Sequence, residues 1–136
     1  MHLAPTPPIA GLDTERLDEL RDLDPGVTTY LDRAIANFDR NSAAAPVAFA
    51  RVIAEGDAAQ LRAGAHRLLG SALNLGAVVA VEPLRALEAH GDSGTTAGAE
   101  PLVPSVDGAL RRAREQLAIY RATYTEMVAD PACTGA

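Results

Sequence analysis

The chain contains no lysine and no tryptophan, a single cysteine and few aromatic residues. All 12 basic residues are arginines, and aromatic residues make up 4% of the sequence. Because Cys133 is alone, the sequence excludes an internal disulfide framework and a cysteine-based metal site. No run of about 18 apolar residues is present, so no membrane span is expected. The N-terminus lacks the basic and apolar regions of a signal peptide, and we therefore expect a cytoplasmic protein.

The residues that are present favour a single helical domain. Apolar residues make up 48% of the 136, and with so few aromatics the core must be built from Ala, Leu, Val and Ile. Such small side chains suit closely packed helices. The formal net charge of −6 argues against nonspecific binding of nucleic acid.

Helical periodicity covers most of the chain, and no strand pattern is found. We expect a flexible N-terminal tail over residues 1–12, a helical bundle over 13–128 and a C-terminal tail over 129–136. Within the bundle, Asp13 begins a short helix, and a second helix contains Tyr30, Leu31, Ile35 and Phe38. Asn41 or Ser42 is expected to end this second helix or to cap the next, which covers residues 45–55. An antiparallel arrangement of the helices is the natural way to bury their apolar faces.

The helix that begins at Asp57 contains the most informative residues. Gln60 follows three positions later, as in a capping box. The core face of this helix is formed by Leu61, Ala65, Leu68, Ala72 and Leu75. His66 lies about 140° from the centre of that face and is predicted to point outward. Gly70, one turn further on, leaves bare backbone beside the imidazole at a cost of roughly 1 kcal/mol relative to alanine, which indicates that a large group approaches His66.

The stretch from Ala65 to Ala77, AHRLLGSALNLGA, resembles the signature of histidine-containing phosphotransfer (HPt) domains. The positions that match in register are His66, Leu68, Gly70, Ser71, Ala72, Leu75, Gly76 and Ala77. Leu87-Glu88 falls where the family often has a Leu-Glu pair, and the resemblance extends over about residues 13–128 as a pattern of apolar positions. It implies an all-α fold: an antiparallel four-helix bundle with a short additional N-terminal helix.

The resemblance also implies a function. His66 would carry a phosphoryl group between the aspartates of response regulator receiver domains, one of them on a hybrid sensor histidine kinase. A neutral imidazole has a free nucleophilic nitrogen, so it can attack a phosphoryl group without a separate base. This chain would bind no cofactor, and Mg²⁺ would be bound by the partner receiver domain. We expect a monomeric phosphoryl carrier without kinase activity, since the sequence has no phosphate-binding glycine-rich loop.

The sequence departs from the family pattern at two positions. Leu69 replaces the usual lysine, and Pro83 interrupts the next helix, which it should kink or restart. Arg62, one turn before His66, is predicted to substitute for the missing charge. Leu69, Gly70 and Leu73 are predicted to lie close to the phosphate or the partner. No metal site is expected at His66, because positions three and four residues away offer no His, Cys or carboxylate.

Two alternatives remain open at this point. A degenerate HPt-like module would bind a receiver or kinase as an inhibitor or scaffold without carrying phosphate, and a plain helical bundle would have an unrelated partner. The sequence does not decide whether Glu88 is a surface charge or a group that supports His66. It does not identify the cognate kinase and regulator, the signal, the direction of phosphoryl flow or the order of the tails.

Overall fold

Five α-helices dominate the computed structural model, which describes residues 2–23, 29–129 and 134–135. The helices are α1 (Thr14–Asp22), α2 (Thr29–Ala54), α3 (Ala58–Asn74), α4 (Val81–Asp92) and α5 (Val103–Ala129). Short 3₁₀ turns at Val78–Ala80 and Glu100–Leu102 precede α4 and α5. Two-residue strands, β1 (His2–Leu3) and β2 (Thr134–Gly135), pair antiparallel. The predicted all-helical class is confirmed.

Helices α2, α3, α4 and α5 surround the main core. Helix α3 contacts α2 and α4, and α5 also contacts α2 and α4, while α1 packs against α2. The largest fully buried side chains come from all five helices and the turn after α3: Leu17, Leu31, Ile35, Phe38, Leu61, Leu75, Leu84, Leu87, Val106, Leu110, Leu117 and Tyr120. Aliphatic residues therefore supply most of the core, as the composition predicted.

The predicted break near Asn41 and Ser42 is wrong, because α2 continues through it. Ser42 is fully buried, and its hydroxyl accepts a hydrogen bond from Arg114 of α5 at 3.0 Å. The buried positions along α2 keep one helical spacing from Leu31 to Phe49. Pro46 removes one backbone donor, but packing on both sides of it continues the helix.

The segment predicted as a flexible N-terminal tail lies partly against the helices. Thr6 is buried, and its backbone N–H and hydroxyl both donate to the Asp18 carboxylate, at 2.8 and 2.6 Å. Tyr120 of α5 donates to the same carboxylate at 2.8 Å, and Arg21 donates to the carbonyl of Ala4. Burial is the main cause of the raised pKa of Tyr120. In the predicted C-terminal tail, residues 130–133 and 136 lie outside the described residues.

Among the described residues, Oδ1 of Asp39 on α2 is a buried carboxylate oxygen that lacks a hydrogen-bond partner. Burial raises the pKa of Asp39, and the nearby guanidinium groups of Arg114 and Arg121 only partly offset that effect. Ionisation of Asp39 is therefore less favourable in the folded chain than in the unfolded chain.

Candidate functional site

Hydrogen bonds at both ends position helix α3. The Asp57 carboxylate accepts a hydrogen bond from the N–H of Gln60 at 3.1 Å, which confirms the predicted N-cap. At the other end Gly76 has φ +63°, and its carbonyl accepts a hydrogen bond from the N–H of Asp13 at 2.7 Å. A Cβ at residue 76 would lie 2.7 Å from the Asp13 carbonyl oxygen, so this turn requires glycine.

Helices α3 and α4 approach each other closely. A Cβ on Gly91 would lie 2.7 Å from the backbone nitrogen of Arg62 and 3.0 Å from the carbonyl oxygen of Ala58. Only glycine therefore permits this spacing. Pro83 is the third residue of α4, where a helix N–H has no partner within the helix, so the proline restarts the helix rather than kinking it.

His66 faces solvent on α3 and is held by Glu88 of α4. Its Nδ1 lies 2.9 Å from Glu88 Oε1, and the two side chains are 67% and 25% exposed. An ionised carboxylate can only accept a hydrogen bond, so Nδ1 carries the proton and donates it. In the neutral imidazole, Nε2 then holds the free lone pair. No hydrogen bond from the described part of the chain engages Nε2.

The surface beside His66 is open on the C-terminal side of α3. A Cβ on Gly70 would meet no atom within 4 Å beyond the adjacent backbone of α3 itself, and Leu73, two turns from His66, is 48% exposed. Bare backbone and an apolar side chain thus lie along the same strip of α3 as the imidazole. Such a strip allows another molecule to come close to Nε2.

The other two predicted site residues have different surroundings. Leu69 is 6% exposed, so it adds little to the apolar surface beside His66. Arg62 is exposed, and no ion pair to it is found within the described residues. Helical spacing places Arg62 one turn before His66 with a free guanidinium. The described chain thus provides no cation at position 69 and one at position 62.

A groove of about 400 Å³ runs between α2 and α3 on the side of α3 away from Glu88. Ala44, Ala45 and Ala48 form much of its α2 wall, and Gly64 and Arg67 lie on its α3 wall. Apolar side chains therefore line much of this groove, and Asn41, Arg67 and Ser71 add polar groups to its lining.

The role of Glu88 was the main point that the sequence left undecided. Residues 66 and 88 are equally distant from Ala77, in the turn between α3 and α4, so an antiparallel hairpin brings them level. This symmetry about the turn is the signal that identifies Glu88. By the same symmetry about Ala77, Arg85 of α4 and Leu69 of α3 are also level with each other. No local pattern in the sequence identifies Arg85.

Neither a metal site, a membrane-spanning helix nor a related protein is found for the described residues. The described residues contain no group of three or more His, Cys, Asp or Glu side chains placed to hold a metal ion. Among the described helices, none combines the length and apolar character needed to cross a membrane. No family model, no curated protein and no solved structure shows a significant match to the chain.

Proposed function

We propose that this chain is a histidine phosphotransfer protein of a two-component phosphorelay, with His66 as the phosphorylated residue. The observation that carries the proposal is the 2.9 Å contact between Nδ1 of His66 and Glu88, which leaves Nε2 as the nucleophile. In this proposal α2 to α5 form the antiparallel four-helix bundle of an HPt domain, and α1 is the additional N-terminal helix.

The transfer step balances without a general base on this chain. The Nε2 lone pair attacks the phosphorus of an aspartyl phosphate, and the N–P bond forms as the bond between phosphorus and the carboxylate oxygen breaks. The aspartate leaves as a carboxylate, and the phosphoimidazole keeps its Nδ1 proton and is cationic. The Glu88 carboxylate stabilises that positive charge through the Nδ1–H hydrogen bond.

The surroundings of His66 support docking of a receiver domain. Gly70 leaves room for the partner backbone, and the exposed part of Leu73 offers apolar contact. The receiver would supply the aspartate and its bound Mg²⁺. This chain would then need to supply only the nucleophile and an accessible surface beside it, as the surroundings of His66 do. A cytoplasmic, monomeric carrier between a hybrid kinase and a response regulator is part of the proposal.

Arg62 is the first candidate for the positive charge that would stabilise the phosphoryl oxygens on His66. Its exposed side chain lies one turn from His66, and we expect Arg62→Ala to lower the transfer rate and change the lifetime of the phosphohistidine. An unchanged rate and lifetime would remove Arg62 from the site.

The deciding experiment is a phosphotransfer assay. The wild-type chain and its His66→Gln and His90→Gln variants are each mixed with phosphorylated receivers from the same genome and tested for acid-labile phosphate. His90 is the matched control, because its Nε2 lies 2.7 Å from the Ala97 carbonyl oxygen in a separate hydrogen bond. We expect label on the wild type and on His90→Gln, and none on His66→Gln.

The second candidate is a receiver-binding module that carries no phosphate. The apolar Leu69 at the position of the family lysine favours it, because the charge at that position is lost. Binding without label from any receiver, retained in His66→Ala, would support this module. Absence of both binding and label would contradict both candidates.

A further inference from the structure

The register between α3 and α4 sets which side chains face each other outside the core. Glu88 is level with His66, and Gly91 is level with Arg62. The helices therefore run antiparallel, and between these two contacts four residues of α3 are matched by three residues of α4. Arg85 is three residues before Glu88 on α4, so this register places it level with Leu69 and Gly70, one turn from the His66–Glu88 pair.

The Arg85 side chain is free to move towards that pair. It is 55% exposed, and its ion pair with Glu82 is long, at 3.8 Å between Nε and Oε1, with the Glu82 side chain 87% exposed. Exposed pairs of this kind contribute little. Residues three apart on a helix are neighbours, so Arg85 lies beside Glu88 on the surface of α4.

A phosphoryl group on His66 needs a nearby cation. Its oxygens would be separated from the Glu88 carboxylate only by the imidazole ring, in a protein with a formal net charge of −6, so the negative charges would repel one another. Leu69, on the next turn of α3, is apolar and buried and supplies no charge. Arg85 presents a guanidinium at that level from the other helix.

We propose that Arg85 binds the phosphoryl oxygens on His66 and offsets the charge of Glu88. The inference rests on the proposed function of His66. With Arg62 one turn to the other side, two guanidinium groups would flank the phosphoryl group, one from each helix. Arginine suits this role because its planar donors match phosphate oxygens.

The test uses phosphoramidate, a small donor that requires no partner protein. Nε2 of His66 attacks the phosphorus of phosphoramidate and forms a new N–P bond. The N–P bond of phosphoramidate breaks at the same time, and its nitrogen leaves as ammonia. The labelling rate is measured for the wild type, Arg85→Gln, Arg85→Lys and Arg67→Gln. Arg67 is the matched control, since it is an exposed arginine next to His66 in sequence but lies on the α2 side of α3.

We expect Arg85→Gln to label about fivefold more slowly at about 0.05 M salt, the upper range for an exposed charge. Arg85→Lys should recover part of the rate, and Arg67→Gln should match the wild type. Raising the salt to about 0.5 M should bring Arg85→Gln close to the wild type, because the charge is screened. In the NMR spectrum, the Nε–H signal of Arg85 should shift on phosphorylation more than that of Arg67.

Each contrary result has its own meaning. A wild-type labelling rate in Arg85→Gln at low salt overturns the assignment of Arg85, and so does a rate loss that salt does not reduce, which would be structural. Labelling by phosphoramidate but by no phosphorylated receiver overturns the carrier function and leaves the charge role of Arg85 supported by its salt-dependent effect. No label at His66 from phosphoramidate in the folded chain overturns both proposals.

Discussion

Removing the Glu88 carboxylate tests the geometry of the site most directly. The His66–Glu88 contact is short, at 2.9 Å, but both side chains reach solvent, His66 to 67% and Glu88 to 25%. A charge-assisted hydrogen bond of this kind contributes about 1 kcal/mol once solvent screening is included. Since 1.36 kcal/mol is a factor of ten, Glu88→Ala should lower the rate at which His66 is phosphorylated by about fivefold.

Glu88→Gln separates charge from position. The amide oxygen still accepts the Nδ1–H hydrogen bond, so the imidazole keeps its orientation, but the negative charge that stabilises the phosphoimidazole cation is lost. We expect a rate between those of the wild type and Glu88→Ala. The matched control is Glu115→Gln, which removes an exposed carboxylate from α5.

The assay has two readouts. The labelling rate with phosphoramidate measures the nucleophile, and nitrogen NMR of the imidazole measures the fraction of His66 protonated at Nδ1 in the neutral ring. That fraction should fall in Glu88→Ala and stay high in Glu88→Gln. If Glu88→Ala keeps both the wild-type rate and the wild-type tautomer, the hydrogen bond does not orient His66 and the reasoning is wrong.

Three further predictions concern stability and are checked by chemical denaturation followed by circular dichroism, and the last of them also uses the phosphotransfer assay. Asp18→Ala should lower the free energy of unfolding by about 3 kcal/mol. The substitution removes an acceptor shared by three donors and an ion-pair partner of Arg21, whose side chain is 2% exposed. A loss below about 1 kcal/mol, within the range of an exposed ion pair, would contradict this prediction. Asp39→Asn should stabilise the chain at neutral pH, because the raised folded-state pKa means that the ionised carboxylate costs stability above that pKa. The gain should vanish in acid, below the unfolded-state pKa, and a gain independent of pH would refute the cause. Gly91→Ala should lower the free energy of unfolding by about 1–3 kcal/mol, because the new Cβ meets the α3 backbone. Gly70→Ala should instead raise it by about 0.5–1 kcal/mol, because alanine favours the helix, and should slow phosphoryl transfer from a receiver. Equal effects of the two substitutions would show that neither helix packing nor access to His66 explains these glycines.

Local sequence patterns were sufficient to predict α3. A carboxylate at Asp57 and the helical spacing of apolar residues were enough to place its start and its core face, because capping and side-chain direction depend on neighbours within one turn. The exposed position of His66 follows from the same spacing. These features needed no knowledge of the other helices.

The same local reasoning failed at α2. Asn41, Ser42 and Pro46 are residues that end isolated helices, yet α2 runs through all three. Ser42 is buried against Arg114 of α5, so tertiary packing outweighs the local preference. The outcome depended on a contact between residues 72 positions apart.

The sequence by itself therefore determined the helical class, the cap and core face of α3, and a histidine that points outward beside a glycine. Only the tertiary structure decided that Glu88 holds Nδ1 of His66, that Leu69 is buried, and that Arg85 lies level with it on α4. The physical reason is the distance in sequence over which each interaction acts. The helical period fixes the directions of side chains around one helix axis, whereas contacts between side chains of two helices depend on the register of the α3–α4 hairpin. That register is set by the turn at Gly76 and the close approach at Gly91.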